Sequence, residues 1–155
     1  MSQINTTLEH AEEHCKNNGT RLTDKRKFVL SGLLQSQKAL SAYELADYCR
    51  TECDSTIPTM SVYRILDFLE SESLVHKLHL ANKYVACSHI NCDHAHEIAQ
   101  FLICSKCSNV KEFTIEKSVF NSLQHNVKAA GYQLKSPQLE LHCLCKDCAQ
   151  QLVSD

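Results

Sequence analysis

Residues 58–69 read Pro-Thr-Met-Ser-Val-Tyr-Arg-Ile-Leu-Asp-Phe-Leu, and the architecture predicted for the first half of the chain follows from this stretch. Its branched apolar residues recur at i, i+3, i+4 and i+7, which is the spacing of one buried face of an α-helix: Val62, Ile65, Leu66 and Leu69. Pro58 disfavours helical backbone in the residue before it. We therefore expect a helix to begin here, capped by Thr59 or Ser61.

Three more helices are predicted before this one. A first helix is expected from Leu8 to Asn17, with Gly19 ending it. Thr23 is a suitable N-cap for a second helix. Residues 41–44, Ser-Ala-Tyr-Glu, form the capping-box pattern that opens a third, whose inner face is predicted to carry Ala42, Leu45 and Cys49.

Two short strands are predicted after the fourth helix. Residues 74–78 and 84–87 have strand character and are separated by the turn sequence Ala-Asn-Lys at 81–83. Helices followed by a two-stranded hairpin predict a winged helix-turn-helix, in which the fourth helix reads the DNA groove. Tyr63 and Arg64 lie on the outer face of that helix.

The second half, from Cys87 onward, is rich in cysteine and histidine. Strands are predicted at residues 99–103 and 110–114, then a helix that stops at Gly131, then an alternating strand through Leu139, Leu141 and Cys143. A small sheet with one exposed face favours burial in a homodimer. We predict an α+β protein, with an N-terminal winged helix-turn-helix DNA-binding domain at 1–86 and a small C-terminal α/β dimerisation domain at 87–155.

Composition narrows the class of protein. The 155 residues include ten cysteines and nine histidines, with no long apolar run and no signal-peptide pattern at the start. We therefore expect a cytoplasmic protein with no membrane segment, whose cysteines are metal ligands or buried thiols rather than disulfides. A net charge of −2 counts against nonspecific coating of nucleic acid, but it permits a few side chains to read a groove.

Two C-x-x-C pairs are the most specific pattern in the chain. They are Cys104-Ser-Lys-Cys107 and Cys145-Lys-Asp-Cys148, each predicted to follow a strand. Two such pairs make a closed four-thiolate site of the kind that zinc prefers. Such a site stabilises a fold and does not define its function. Cys143 is an alternative ligand because it is close to the second pair.

A second group of metal-binding residue types begins within the hairpin and continues up to the first C-x-x-C pair. Its members and the nearby carboxylate are His76, His79, Cys87, His89, Cys92, His94, His96, Glu97 and Glu112. A mixture of imidazole, thiolate and carboxylate suits zinc. His79 is expected to be a solvated strand residue, and Cys92 and His89 are either loop residues or ligands.

Several motifs resemble those of the ferric uptake regulator family across residues 8–152. Residues 21–26, Arg-Leu-Thr-Asp-Lys-Arg, resemble the opening of the family's second helix, and 58–64 resemble its recognition helix. Within the family, the Ser-Ala-Tyr at 41–43 and the Tyr-Val-Ala-Cys at 84–87 are most similar to the zinc uptake regulators. Iron sensors of the family tend to use histidine and carboxylates where this chain has Cys87.

The resemblance implies two zinc sites per chain. The structural ligands are then Cys104, Cys107, Cys145 and Cys148. The regulatory ligands are His76, Cys87, His96 and Glu112. Because the spacing from His96 to the first C-x-x-C pair is longer than in the zinc regulators, His94 is an alternative ligand, and His89 and Cys92 are candidates for a third site.

The resemblance also implies a homodimeric repressor of zinc uptake genes that binds a palindromic, AT-rich operator in double-stranded DNA. The residues expected to contact DNA are Tyr63, Arg64, Tyr43, Arg21, Arg26 and Thr59. Asp47 and Arg50 either pair with each other or meet a neighbouring dimer. An iron- or peroxide-responsive regulator of the same family is the alternative. A zinc-dependent enzyme is disfavoured because the first C-x-x-C follows Ile103 rather than the proline of the zinc deaminases, and no H-E-x-x-H occurs.

Overall fold

The computed structural model describes residues 2–91, 99–135 and 138–153, and its elements confirm the predicted α+β class. The chain divides into two compact units, Met1–His94 and Ala95–Asp155, and the domain boundary after residue 86 stays a prediction. No described helix has the length and apolarity to cross a bilayer. In chain order the elements are α1 (Ser2–Asn17), α2 (Asp24–Ser36), α3 (Ala42–Glu52), α4 (Thr59–Ser71), β1 (Val75–Leu78), β2 (Lys83–Ala86), β3 (Ala99–Cys104), β4 (Val110–Thr114), α5 (Lys117–Ala129), β5 (Leu139–Cys143) and α6 (Lys146–Val153).

Helix α1 is longer than the sequence pattern predicted. It begins at Ser2 rather than Leu8, and Thr7, Ala11 and Cys15 form a buried stripe along it at four-residue spacing. The Thr7 hydroxyl is satisfied locally, since it donates to the carbonyl of Gln3 at 2.9 Å. The helix ends as predicted, with Gly19 in the left-handed region at φ 75°.

Helices α2 and α3 begin at the predicted caps. The backbone N–H of Arg26 donates to the Thr23 hydroxyl at 3.4 Å, and that of Glu44 donates to the Ser41 hydroxyl at 3.1 Å. The two helices approach closely at Gly32, where an added Cβ would lie 3.3 Å from the Cys49 sulfur and 3.3 Å from a Leu45 methyl. The predicted inner face of α3 is buried.

Helix α4 buries the four residues of the predicted stripe. The prediction of its cap was wrong, because Pro58 occupies the N-cap position and makes no side-chain hydrogen bond. The Pro58 carbonyl already accepts the N–H of Val62 at 3.1 Å, so the helix starts one residue after the proline. Thr59 and Ser61 consequently lie inside the first turn, where neither can act as the N-cap.

The hairpin of β1 and β2 is antiparallel and confirms the predicted wing. His76 pairs with Val85 in its register, and Asn82 turns the chain with a positive φ of 51°. Leu40, between α2 and α3, adds an antiparallel bridge to Tyr84 through two backbone hydrogen bonds of 2.8 and 3.0 Å. The hairpin is therefore joined to the helical core by backbone pairing as well as by side-chain packing.

The second unit is a three-stranded sheet in the order β4-β3-β5 with two helices. Strand β3 is antiparallel to β4 and parallel to β5, so the chain must cross over through the region of α5 before β5 can pair. The buried apolar side chains among its described residues are few: Phe101, Ile103, Cys104 and Cys148. Two of these four are thiols of the C-x-x-C pairs, and the described part of α5 buries none of its residues.

Candidate metal sites and nucleic-acid interface

The four cysteines of the two C-x-x-C pairs converge at one end of the sheet. Their sulfur atoms all lie within 4.8 Å of one another. Cys104 ends β3 and Cys145 follows β5, and the parallel register of these strands, in which Cys104 is opposite Cys143, brings the two pairs to the same edge. Cys148 is placed by the first turn of α6. Four sulfurs at this separation have the donor number and type that tetrahedral zinc prefers.

Backbone hydrogen bonds fix the turn of the first pair. The N–H of Ser108 donates to the carbonyl of Cys104 at 2.9 Å, and Ser108 adopts a positive φ of 63°. The N–H of Ser105 donates to the carbonyl of Cys143 at 2.9 Å, which ties this turn to β5. The backbone N–H of Cys145 points at the sulfur of Cys104 at 3.4 Å. Such donors stabilise a thiolate in place of solvent.

Hydrogen bonds within the cluster shift the pKa values of two of its thiols in opposite directions. The backbone N–H of Cys145, helped by two N–H groups of the first knuckle, lowers the pKa of Cys104 to about 6. The hydrogen bond that Cys148 shares with Cys145, together with burial, raises the pKa of Cys148 to about 12. Adjacent sulfurs cannot all become anionic without a cation, and a divalent soft ion supplies the missing charge. Cys143 is half-buried and lies outside the four-sulfur cluster.

A second pair of ligand types lies at the end of the hairpin. His76 is on β1 and Cys87 follows β2, so antiparallel pairing brings them close, with ligand atoms within 4.8 Å. The backbone N–H of Cys87 donates to the carbonyl of Leu74 at 2.9 Å, which holds the thiol at this position. The thiol of Cys87 is 3% exposed and the Nε2 atom of His76 is buried. The N–H of His89 donates to the Cys87 sulfur at 3.4 Å.

The other predicted regulatory ligands lie further along the chain. Glu112 is on β4 of the second unit, half-buried and paired in register with Phe101. Cys92, His94 and His96 fall outside the described residues. His89 is half-buried with its Nδ1 atom 3.3 Å from the Ser88 hydroxyl, and it joins neither cluster that the described residues form. Its backbone N–H contact with Cys87 was not predicted, and no sequence signal indicates it.

Three of the residues expected to contact DNA, Tyr43, Tyr63 and Arg64, lie on α3 and α4 of the first unit, and two of them are in contact. Arg64 is exposed on α4, one position after Tyr63. Tyr43, in the first turn of α3, is 67% exposed, and its ring stands edge-on to that of Tyr63 with centroids 6.3 Å apart. This T-shaped contact holds the two phenol rings against each other across α3 and α4. Together the three residues supply a cation, two phenol groups and apolar ring edges.

The other three predicted contacts have different environments. Thr59 is half-buried as the first residue of α4, and Arg21 is exposed just before α2. The guanidinium of Arg26 lies over the Phe68 ring at 3.6 Å and donates to the carbonyl of Arg21 at 2.6 Å. Arg26 therefore has a structural role within the unit. The pattern of the sequence does not reveal it, because Phe68 is on a different helix.

Asp47 and Arg50 form an ion pair within α3. Their spacing of three residues places them on one face of the helix, where both are exposed. This is one of the two alternatives that the sequence left open. An exposed pair of this kind contributes little to stability.

Known proteins are similar to this chain in sequence and in fold. The sequence model of the ferric uptake regulator family matches residues 17–150. The zinc uptake regulation protein of Escherichia coli strain K12 is 36% identical over 144 residues, which is 92% of this chain and 81% of that protein. A zinc uptake regulator solved with zinc and DNA has a TM-score of 0.81 at 31% identity and covers 97% of each chain. The crystal structure of holo XcZur has a TM-score of 0.77 at 37% identity, over 94% of this chain and 99% of that one. This chain therefore belongs to the ferric uptake regulator family.

Proposed function

We propose that this protein is a zinc-responsive, homodimeric transcriptional repressor that binds a palindromic, AT-rich operator and controls zinc uptake genes. The relatives above are zinc uptake regulators, one of them solved with zinc and DNA. The observation that carries the choice of metal is the thiol of Cys87, buried beside His76 at the end of the hairpin. A thiolate and an imidazole together favour zinc over a harder ion such as ferrous iron.

The four-thiolate cluster is proposed as a structural zinc site. Cys104, Cys107, Cys145 and Cys148 supply a complete set of ligands, so the ion has no open position for substrate. When bound, zinc compensates the charge of four thiolates and joins the ends of β3 and β5 to α6. This role fits a unit whose described residues include few buried apolar side chains. It also gives no support to a catalytic function.

The regulatory site is proposed to contain His76, Cys87, His96 and Glu112, with His94 as the alternative to His96. These residues are distributed along the chain from the wing to β4. An ion that binds them together restrains the winged helix relative to the dimerisation domain. Zinc then favours the conformers in which the two reading helices of the dimer have the spacing of two half-sites. A preference of about 3 kcal/mol shifts such an equilibrium by more than roughly a hundredfold.

On the DNA, α4 is proposed to enter the major groove. Arg64 has the geometry to donate two hydrogen bonds to a guanine edge, and Tyr63 can contact a thymine methyl. Tyr43 and Arg21 are proposed to contact sugar and phosphate, which fix the position of the protein without reading sequence. Thr59 is proposed to contact the backbone from the first turn of α4.

The experiment that tests this function is fluorescence anisotropy at one stated salt concentration, with a labelled palindromic duplex chosen by selection from random DNA. We would compare chelator-treated protein, protein restored with zinc, and protein given ferrous iron without oxygen, and would assay bound zinc in each. We expect tight binding only with added zinc, while about one zinc per chain resists the chelator. Binding that needs iron instead of zinc would move the protein to the iron-responsive class.

A further inference from the structure

Exposed apolar side chains of the first unit lie on few of its elements. Among the described residues of this unit, the large hydrophobic side chains that are exposed are Tyr43 on α3, Met60 on α4 and Leu80 in the hairpin turn. The described parts of α1 and α2 expose none. Single exposed apolar residues are ordinary on protein surfaces, but these three are confined to the groove-reading helix, the helix before it and the wing.

Met60 belongs to the reading surface of α4. It is the second residue of the helix and 67% exposed. Tyr63 and Arg64 follow it at i+3 and i+4, so Met60 is a neighbour of each on the helix surface. Tyr43 packs edge-on against Tyr63 from α3. The helical spacing thus places the thioether next to Tyr63, whose ring packs with Tyr43, and next to Arg64.

Its position in the helix agrees with a contact to bases. The N-terminal residues of a recognition helix approach base edges most closely. A methionine side chain has no hydrogen-bond donor and only a weak acceptor, so it cannot replace the polar readout of Arg64. It is long, flexible and polarisable, which suits contact with a small apolar group. The one apolar group in the major groove is the C5-methyl of thymine.

We propose that Met60 is a specificity-determining residue that selects thymine by contact with its methyl group, at a base pair near the one read by Arg64. The proposal rests on the DNA-binding function proposed above. The guanidinium of Arg64 favours nucleic acid as the occupant of this surface, because arginine donates paired hydrogen bonds to guanine edges and to phosphate. Direct readout by Met60 adds a preference for A·T pairs to the guanine preference of Arg64.

The test replaces the thymines of the selected operator with deoxyuridine one at a time, and each replacement removes only the methyl group. Anisotropy is then measured for full-length zinc-loaded wild-type protein, Met60→Ala and Met60→Leu. At one position in each half-site we expect the wild type to bind the uracil duplex roughly fourfold more weakly, as the loss of one buried methyl implies at about 0.8 kcal/mol. Met60→Ala should bind both duplexes alike at that position, while Met60→Leu should keep the preference.

Two controls separate this readout from indirect effects. Leu80→Ala removes another exposed apolar side chain of the unit and should leave the preference at the Met60 position unchanged. Light scattering without DNA should give the same mass for wild type and Met60→Ala, because the side chain faces solvent. A change of mass would mean that this surface is a subunit contact, and the proposal would be wrong.

The outcomes also separate this proposal from the proposed function. If Met60→Ala keeps the full wild-type sensitivity to uracil, or if no thymine methyl matters to the wild type, the role of Met60 is refuted while zinc-dependent binding stands. If random-sequence selection yields no zinc-dependent binding at all, the DNA-binding function fails and the role of Met60 fails with it.

Discussion

Replacing Cys148 with serine should destabilise the second unit through loss of zinc rather than loss of packing. The thiol is buried and belongs to the four-sulfur cluster. A structural zinc site contributes about 10–16 kcal/mol of apparent binding free energy, so one of four ligands corresponds to about 3 kcal/mol. At about 1.4 kcal/mol per tenfold, zinc affinity should fall by roughly two orders of magnitude.

The assay is competition with a zinc chelator, followed by hydrogen exchange detected by mass spectrometry. In the zinc-depleted variant, amides of β3 and β5 should exchange much faster than in the wild type, because few apolar side chains remain to hold those strands. Amides of α2 and α4 should exchange at wild-type rates, since their core contains no residue of the cluster. Cys143→Ser is the matched control, because Cys143 is a neighbouring thiol outside the cluster.

Two results would contradict the assignment of Cys148 and its three neighbours as the zinc ligands. One is a Cys148→Ser protein that retains zinc against the chelator as the wild type does. The other is a Cys143→Ser protein that loses zinc to the same extent, which would mean that the ligand set has been assigned wrongly.

Three further predictions concern the first unit. Arg26→Ala should lower the free energy of unfolding, measured by urea titration, by about 2 kcal/mol, because the Phe68 ring contact and one charged hydrogen bond are lost. Its operator affinity should change by less than about twofold. A loss of DNA binding with unchanged stability would contradict the structural role. Arg64→Ala should do the reverse, weakening operator binding by about 1–3 kcal/mol and relaxing specificity at one base pair, with unchanged thermal stability. Burial raises the pKa of Cys49 to about 11. The thiol therefore ionises first in the unfolded state as pH rises past about 9, and the wild type should lose more unfolding free energy than Cys49→Val between pH 8 and 10.5. Parallel curves of unfolding free energy against pH for the two proteins would contradict the raised pKa.

Local patterns predicted much of the first unit. The capping hydroxyls of Thr23 and Ser41 and the apolar stripe of α4 depend on residues within a few positions of one another, so the sequence contains the whole interaction. The cap of α4 was mispredicted because only the hydroxyls of Thr59 and Ser61 were considered, whereas the N-cap depends on which carbonyl accepts the first helical hydrogen bond.

The second unit was harder to predict because its contacts are distant in sequence. The parallel pairing of β3 with β5 depends on a crossover of many residues, and no local pattern specifies it. Helix α6 was not predicted, because its eight residues span little more than two turns and a helical pattern repeats too few times in such a segment to be recognised. The two C-x-x-C pairs were nevertheless identified, because tetrahedral coordination restricts ligand spacing more strongly than packing restricts side chains.

Zinc bound at Cys87 is proposed to control DNA binding, and we would test this through the zinc dependence of operator binding in Cys87→Ser. The zinc concentration is buffered, and anisotropy is compared with wild type and with Cys53→Ser, a half-buried thiol outside both clusters. We predict a folded Cys87→Ser dimer with about one retained zinc per chain that needs roughly a hundredfold more zinc for half-maximal binding, while Cys53→Ser behaves as wild type. An unchanged zinc dependence in Cys87→Ser would show that zinc at Cys87 does not control DNA binding.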